Sequence, residues 1–367
     1  MAYVAVKGGQ KAIDESIKRL KYNRVKENNT LNVKKVESGL KRLIDQVMSE
    51  SSLYSEDLAS IAIKQAEGSP EEAVFLMRAF RSTLPRKHYS TVINSNQMRV
   101  MRRISSSFKD IPGGQVLGAT HDFTHRLIDF DLVDESNDDI KEFLAKYTDI
   151  DNQEIDNIES AEIPKVVDYL KKEGLMIEYN EDNSPPKDIT KESLSFPTKR
   201  SERLQILTRG QTGAVSALGY ASLRGFGSVH PTVGELRVGY LPVHINDPSN
   251  NNDIEDDQYY IGEIKVTEVE TITSVSLPKG KGNMELKLDI GYGLCFGQNE
   301  TKTIAMSILD KCLDSPEEHF PTHDEEFVLY HIDSVEMTGF ISHLKLPHYV
   351  TFQSKLDNLR NTKEEKK

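Results

Sequence analysis

The spacing of apolar residues changes near the middle of this chain, and that change constrains its fold more than any other feature. Between Val36 and Leu84 apolar residues recur three and four positions apart, as on one face of a helix, with breaks near Ser51 and Gly68. Beyond Ser201 a helical stretch gives way to glycine-punctuated runs in which apolar and polar residues alternate, as in strands. The sequence therefore predicts an α+β fold, with a helical N-terminal region followed by a mainly β, mixed C-terminal region.

The same patterns divide the chain into four predicted regions. These are a mainly helical region at 1–132, an acidic linker or insertion at 133–190, a mixed α/β region at 191–360 and a frayed tail at 361–367. Shorter elements are predicted as a buried strand at 3–6, helices at 161–173, 203–220 and 301–313, and strands at 326–332 and 337–341. The last two strands would lead the chain towards a pair of histidines.

Composition and charge limit the classes of partner. With 37% hydrophobic and 28% charged residues among 367, the chain has the composition of a soluble globular protein of one large or two ordinary domains. The formal net charge of -12 opposes nonspecific attraction to nucleic acid or to an anionic membrane. No segment approaches the roughly 20 apolar residues of a membrane span, and the start lacks signal-peptide character. We therefore expect a cytoplasmic protein with no nucleic-acid partner and no membrane partner.

The cysteines restrict the metal chemistry of the chain. Cys295 and Cys312 lie seventeen positions apart and form no CxxC motif. We expect both to be buried, inert thiols in a reducing compartment. They provide no thiolate cluster for a metal and none of the grouped cysteines that an iron–sulfur centre requires. No iron–sulfur cluster is therefore predicted in this chain.

Two histidines near the C-terminus, His343 and His348, are candidate metal ligands. Pro347 between them fixes its own φ and favours an extended conformation at Leu346, so we expect the pair to converge from a bent loop and not to share one helix face. A zinc site takes about four protein ligands when closed and about three when open, so two imidazoles form only part of a site. The remaining ligands must come from elsewhere, and a partner protein could supply them. The alternative is that both histidines cap a loop through hydrogen bonds.

The segment HDFTH offers a second pair, His121 and His125, which are four positions apart and would share a helix face. The pattern resembles a zinc-protease helix with Asp122 at the position of the catalytic glutamate. Because that glutamate and a third ligand are both missing, a standalone zinc hydrolase is the weaker hypothesis. His125 with Arg126 is the better functional candidate in this segment.

A glycine pair suggests one phosphate-binding segment. Gly113 and Gly114 would let backbone N–H groups approach an anion, and Arg102, Arg103 and Lys109 upstream would add charge-assisted donors. The segment is no Walker A loop, because the Gly-Lys-Ser/Thr ending is missing. The alternatives are a plain tight turn at the glycines and a solvated helix face that carries the basic residues.

A second such segment joins Arg224, Gly225 and Gly227 to His230, and so combines a cation, an open backbone and an imidazole. The alternative is a turn that connects strands and contains a structural ion pair. Neither glycine segment identifies a ligand by itself.

Longer blocks of sequence indicate a known family. They are, in order, YVAVKGGQKAI (3–13), RRISSSFKDIPGGQ (102–115), THRLIDF (124–130), RGFGSVHP (224–231), GELRVGY (234–240), GYGLCFG (291–297) and DEEFVLYHIDSVEMTGFISHLKLPHYVTFQ (324–353). Through them the chain closely resembles, from end to end, the PhnI family, the I subunit of the bacterial carbon–phosphorus lyase core complex. Several long blocks in one order are far more specific than any single short motif.

The resemblance implies a function in phosphonate catabolism. Members resemble nucleosidases acting on MgATP: with sister subunits present, methylphosphonate displaces adenine at ribose C1′ and gives alpha-D-ribose 1-methylphosphonate 5-triphosphate. With water as acceptor, the activity is that of an ATP or GTP nucleosidase. The implied partners are sister subunits, including a radical SAM subunit, together with ATP, Mg²⁺ and methylphosphonate. The alternative is a scaffold and metal-sharing subunit without independent catalytic activity.

The resemblance also implies roles for residues. His343 and His348 match the family's metal-binding histidines at the interface with the radical SAM subunit, which implies zinc or a similar metal shared with that partner. Cleavage of the ribose C1′–N bond develops positive charge on the sugar, which a carboxylate stabilises. Asp324, Glu325 and Glu326 are the catalytic candidates, and the alternative is that they are solvated or cap a strand or helix.

Overall fold

A computed structural model describes residues 9–28, 30–155, 163–179, 182, 184–247, 258–278, 283–315, 319–346 and 348–364. The chain divides into two compact units. The first consists of Met1–Leu84, Arg209–Gln211 and Leu329–Lys367, and the second of Pro85–Thr208 and Thr212–Val328. Helices build the first unit and an antiparallel sheet lies in the second, so the predicted α+β class is confirmed.

The described residues form the following α-helices in chain order: α1 Gly9–Val25, α2 Val33–Gly39, α3 Lys41–Ser51, α4 Glu56–Gln65, α5 Pro70–Ser82, α6 Asn137–Ile155, α7 Val166–Lys172, α8 Arg200–Arg209, α9 Thr212–Ala221, α10 Glu300–Asp314, α11 Glu325–Tyr330, α12 Ser334–Ser342 and α13 Tyr349–Glu364. The strands are β1 Arg99–Ile104, β2 Thr232–Asn246, β3 Gln258–Pro278 and β4 Met284–Phe296. Across these ranges, no helix has the length and apolar character needed to cross a bilayer.

The first unit follows the helical pattern of its sequence. The Ser55 hydroxyl accepts a hydrogen bond from the Leu58 amide, and Ser69 caps α5, where Pro70 occupies the first turn. The predicted breaks are confirmed, since α3 ends at Ser51 and the turn between α4 and α5 contains Gly68 at a φ of 89°. The core of this unit consists of Val36, Ile44, Val47, Met48, Ala59, Ala62, Ile63, Ala73, Val74 and Met77.

The sheet of the second unit has the order β1-β2-β3-β4 and two different faces. One face packs Leu236, Val238 and Val269 towards α10. Gly291 and Gly293 of β4 allow this close approach, because a Cβ at either position would overlap a backbone carbonyl oxygen of α10. The opposite face carries charged side chains that are buried, and it forms part of the candidate site.

Several local predictions need correction. Residues 326–332 and 337–341 are not strands, because they lie largely in α11 and α12. The Asp333 side chain accepts hydrogen bonds from the amides of Val335 and Glu336 and so starts α12. The predicted helix at 203–220 is two helices, α8 and α9, whereas α10 confirms the helix at 301–313. Of the helix predicted at 161–173, the described residues form α7 from Val166 to Lys172, and α6 was not predicted. Residues 161–162 and the strand predicted at 3–6 lie outside the described residues.

Candidate functional site

The histidine pair lies in the first unit, between two helices. After α12 ends at Ser342, a 3₁₀ turn at His343–Lys345 and an extended Leu346 lead to His348 and α13. The two imidazole rings lie 5.7 Å apart between centroids, with an angle of 60° between their planes. The sequence prediction that they converge from a bent segment, and not from one helix face, is therefore confirmed.

Hydrogen bonds orient both imidazoles. The Nδ1 atom of His343 bonds to the Phe340 carbonyl oxygen, and Nδ1 of His348 bonds to the Leu346 carbonyl oxygen at 2.6 Å. Because a carbonyl oxygen only accepts, Nδ1 donates its hydrogen in both rings, and a neutral imidazole then keeps its lone pair on Nε2. Metal-binding histidines commonly have this arrangement, with the second nitrogen donating to a carbonyl group.

The spacing of the rings also fits two ligands of one ion. Two imidazoles on a tetrahedral zinc ion, with Zn–N distances of about 2.1 Å, place their ring centroids roughly 5.3 Å apart. The observed separation of 5.7 Å is close to this value. In the part of the chain that the structure describes, no group of three or more His, Cys, Asp or Glu side chains could hold a metal ion. Among the described residues, this pair thus offers two imidazoles and no third side chain of these types.

Exposed apolar side chains surround the pair. Phe340 is 72% exposed, Leu344 66% and Val350 71%, which is unusual for residues of this kind. Ile341, Tyr349 and Phe352 are also largely exposed on the same stretch of chain. We call residues 340–346 and 348–352 the apolar segment. An exposed apolar cluster of this kind is typical of a surface that binds another protein.

The three candidate carboxylates belong to the second unit and have different environments. Asp324 accepts a hydrogen bond from the Phe327 amide at 2.9 Å and so caps α11. Glu325 accepts hydrogen bonds from the amide and the hydroxyl of Thr198. Glu326 is exposed. Asp324 thus fits the alternative that these carboxylates cap a helix. Glu325 links the start of α11 to the segment that contains Thr198.

The two arginines of the first glycine segment have protein partners. Arg102 lies 2.7 Å from Asp122 and 3.1 Å from Glu300. Arg103 is fully buried, pairs with Glu235 and donates to the carbonyl groups of Pro112, Gly114 and Pro164. These guanidinium groups therefore secure the fold.

The glycine pair itself forms a tight turn. Gly113 and Gly114 have φ values of 81° and 74°, and the Gly114 amide donates to the Ile111 carbonyl at 2.9 Å. The tight-turn alternative describes this geometry. The side chain of Lys109 is exposed, and of the three basic residues named for this segment it alone forms no ion pair within the described residues.

The second glycine segment is a distorted helical turn at Ser222–Phe226. Gly225 has a φ of 105°, which glycine adopts readily. Gly227 is buried and packs against Ser222, whereas Arg224 is exposed with its guanidinium carbon 5.8 Å from the Tyr220 ring centroid. The guanidinium group of Arg224 is therefore accessible, whereas Gly225 and Gly227 allow the backbone conformation and the close packing of this turn.

The HDFTH segment does not form the helix that a zinc-protease site requires. Residues 121–128 are turns and irregular backbone, and Arg126 has a left-handed φ of 56°. Asp122 forms its ion pair with Arg102. The zinc-hydrolase hypothesis is therefore not supported by the backbone, and His125 and Arg126 are exposed residues of a surface turn.

Sequence inspection missed a buried cluster of charges on the second face of the sheet. Lys165 donates to Glu268 at 2.8 Å and to Glu270 at 2.9 Å. Arg237, opposite Glu268 in the β2–β3 register, bonds to its other oxygen, and the Tyr292 hydroxyl donates to Glu268 at 2.9 Å. Four charged side chains and one phenol thus lie together in a buried cluster.

The two carboxyl groups of this cluster differ in their pKa. Burial would raise the pKa of Glu268, but Arg237 and Lys165 outweigh this effect and hold it below its usual value. Burial raises the pKa of Glu270, and Lys165 offsets this only in part. Two neighbouring carboxyl groups with opposite pKa shifts are a frequent property of functional sites.

Glu270 lines a cavity of about 800 Å³ in the second unit, together with Asn94, Asn96, Lys165, Lys171 and Arg200. The volume lies within the range of roughly 300–1,000 Å³ that is usual for small-molecule sites. Oε1 of Glu270 binds Lys165, whereas the buried Oε2 has no hydrogen-bond partner within the described residues. Buried polar atoms are normally paired, so this oxygen is an exception that calls for a partner.

A second set of polar groups borders the same cavity. The Tyr179 hydroxyl donates to Asp289 at 2.7 Å, and Lys311 lies 2.5 Å from the same carboxylate. Arg200 pairs with Asp310 at 2.6 Å. Burial and the bond to Asp289 raise the pKa of Tyr179, so this phenol keeps its proton at neutral pH. Tyr179 and Arg200 thus line the wall of the cavity, and their partners Asp289 and Asp310 hold them in place.

Comparison with known proteins decides the family. The family model described as "Bacterial phosphonate metabolism protein (PhnI)" matches residues 2–366. The chain belongs to the PhnI family. The resemblance inferred from the sequence blocks is therefore confirmed over almost the whole chain.

Individual PhnI relatives agree in length as well as sequence. The "Alpha-D-ribose 1-methylphosphonate 5-triphosphate synthase subunit PhnI" of Escherichia coli (strain K12) is 40% identical over 369 residues, which cover 99% of each chain. The protein of the same name from Rhizobium meliloti (strain 1021) is 39% identical over 375 residues, 99% of this chain and 95% of its own. HtxH of Stutzerimonas stutzeri is 42% identical over 372 residues, covering 99% and 96%.

In this PhnI-family chain, the sequence pattern around the buried charges suggests that they are exposed. Glu268 and Glu270 alternate with apolar residues in β3, which is typical of a strand with one solvated face. The structure covers that face with α7 and Lys165. Because Arg237 lies opposite Glu268 in the β2–β3 register, these charges form a buried cluster and not an exposed row.

Proposed function

We propose that this chain is a subunit of a carbon–phosphorus lyase complex and takes part in making alpha-D-ribose 1-methylphosphonate 5-triphosphate. The observation that carries the proposal is the identity of 40% and 39%, over nearly full length, to two relatives named as synthase subunits for that compound. In the proposed reaction methylphosphonate displaces adenine from ribose C1′ of MgATP, and water in its place gives nucleosidase activity on ATP or GTP.

The histidine pair is proposed to hold a zinc ion or a similar metal jointly with the radical SAM subunit. Support comes from the Nδ1 hydrogen bonds, which leave Nε2 of His343 and His348 available, and from the ring separation. The surrounding apolar segment is the surface proposed to contact that subunit. A bound zinc ion would supply a Lewis acid that orients or polarises an oxygen ligand.

Some side chains remain available for the nucleotide chemistry. The predicted stabiliser of positive charge on ribose is best assigned to Glu326, because Asp324 and Glu325 are engaged within the fold. Lys109 and Arg224 are the exposed cations among the predicted phosphate ligands. A carboxylate near C1′ would stabilise the sugar cation that develops as adenine departs, and the cations would neutralise phosphate oxygens.

A second candidate function is that of a scaffold and metal-sharing subunit without independent activity. Two observations favour it: the described residues provide only part of a metal site, and the apolar segment is largely exposed in the single chain. A protein surface of this kind is stable in solution when a partner covers it.

Adenine release separates the two functions. The purified chain is incubated with MgATP, alone and then with sister subunits and methylphosphonate, and adenine is followed by chromatography. Release by the lone chain, redirected to a phosphonate ester by the partners, supports a catalytic site in this chain. Release that requires the partners and survives Glu326→Gln supports the scaffold function instead.

Metal content tests the histidine pair separately from turnover. The assembled complex is purified with the wild-type chain, with His343→Ala, with His348→Ala and with His125→Ala as a matched control at an exposed histidine of a surface turn. Elemental analysis should show loss of one metal equivalent in His343→Ala and in His348→Ala, and no loss in His125→Ala. Unchanged metal in both would contradict the shared site.

A further inference from the structure

The cavity beside Glu270 has the properties of a ligand site that the proposed chemistry has not used. Glu270 is 6% exposed, and its Oε2 atom is buried without a partner within the described residues. Its other oxygen and the ammonium group of Lys165 already bind each other. Glu270 also lines the cavity, so a molecule bound there lies beside a carboxyl group that has an unused acceptor.

The cavity continues outward into a second one. A neighbouring cavity of about 480 Å³ shares Asn96, Asp168 and Lys171 with the first and adds Lys172. Lys171 and Lys172 are exposed, and neither forms an ion pair within the described residues. We call the two cavities together the Glu270 groove. Its inner end offers a buried carboxyl group and its outer end offers two free cations.

This distribution of groups selects a chemical class of ligand. A sugar hydroxyl can donate to an ionised carboxylate or accept from a neutral carboxyl group, so it satisfies Oε2 in either state of Glu270. Anionic phosphate oxygens suit the two lysines at the outer end. Asp168 lies beside those lysines, and a carboxylate at that position favours a phosphate chain that carries Mg²⁺.

We propose that the Glu270 groove binds a sugar phosphate, with a sugar hydroxyl hydrogen-bonded to Glu270 Oε2 and the phosphates next to Lys171 and Lys172. The identity of this ligand rests on the proposed function: it is the ribose triphosphate part of MgATP. Lys171 and Lys172, which lie outside both glycine segments, then replace Lys109 and Arg224 as the ligands of the phosphates. The amide of Asn96, which lines both cavities, is placed to contact the middle of the ligand.

Equilibrium binding to the full chain tests the groove with three probes: MgATP, adenosine and magnesium tripolyphosphate. Glu270→Met preserves volume but removes the hydrogen bond, so it should weaken MgATP and adenosine about tenfold and leave tripolyphosphate unchanged. Glu270→Gln, whose amide still bonds to a hydroxyl, should restore much of the affinity. Lys171→Ala with Lys172→Ala should weaken MgATP and tripolyphosphate about tenfold or more and leave adenosine unchanged.

The control removes the same charge from another exposed helix. Lys141→Ala with Lys146→Ala on α6 should leave all three affinities unchanged, because these lysines lie outside the groove. Absence of MgATP binding to the wild-type chain, or unchanged affinities in the Glu270→Met and double lysine variants, would overturn the proposal.

Adenine release by the assembled wild-type complex keeps this test independent of the proposed function. Adenine release combined with groove variants that bind normally overturns the groove and retains the function. Groove-dependent binding without adenine release supports the groove and counts against the function.

Discussion

Replacing Lys165 with methionine tests the buried charge cluster most sharply. The lysine is the only ion-pair partner of Glu270 within the described residues and one of two for Glu268. Methionine fills a similar volume but cannot donate, so Lys165→Met leaves a buried carboxylate without its cation. Breaking a buried pair in this way costs about 3–5 kcal/mol of unfolding free energy. For a unit of this size the melting temperature should fall by roughly 6–20 °C.

The cost should depend on pH in a defined direction. Burial already raises the pKa of Glu270 above 4.5, and removing Lys165 should raise it further. When a carboxyl group has a higher pKa in the folded than in the unfolded state, the protein loses folding stability as the pH rises from the unfolded-state pKa to the folded-state pKa. At pH 5 the folded variant can keep a proton on Glu270, so its deficit should be smaller there than at pH 8.

The assay is thermal and urea unfolding of the wild-type chain and the variant at both pH values. Lys146→Met is the matched control, because that lysine pairs with Glu142 on the surface of α6 and should cost no more than about 1 kcal/mol. A cost below about 1 kcal/mol for Lys165→Met, or a deficit that does not shrink at pH 5, would refute the reasoning.

Three further predictions follow from other parts of the fold. Gly291→Ala should destabilise the second unit by about 1–3 kcal/mol, because its Cβ would push α10 from the sheet, whereas Gly339→Ala in open space should be neutral or stabilising in urea unfolding. Burial would raise the pKa of Asp333, but a neighbouring arginine and the cap of α12 outweigh this effect and hold it below 3.8. The ionised carboxylate therefore stabilises the fold at neutral pH, and this contribution is lost as the pH falls below 3.8. Asp333→Asn should be destabilised at pH 7 and should converge with wild type in acid melts. Cys295 and Cys312 are fully buried, so a thiol reagent should label them only after unfolding; rapid labelling of the native chain would contradict this burial.

The sequence predicted regular elements well where one face meets an apolar core. The spacing of Val36, Ile44 and Val47 matches the buried face of the first-unit helices, and the alternating runs correspond to β2, β3 and β4. Prediction failed at 326–341, where short apolar runs resemble strands. The pattern of Asp333 followed three residues later by Glu336 is a capping signal that would have indicated a helix.

The candidate site was predictable only in part, for a physical reason. His343 and His348 are close in sequence, so local backbone rules could anticipate their convergence. Arg102 and Arg103 were predicted to bind phosphate, but each also pairs with a carboxylate more than a hundred positions away, Glu300 and Glu235, and spacing along the chain gives no information about these pairs. The same limitation concealed the contact between Lys165 and Glu270.

The central claim is that this chain is required to join methylphosphonate to the ribose of ATP. The most direct measurement is phosphorus NMR of methylphosphonate with MgATP and the sister subunits, with and without this chain. The account predicts a new phosphonate ester signal, with one adenine released per ester, only when the chain is present. An ester signal that forms equally without the chain, or no ester in the complete mixture, would contradict it.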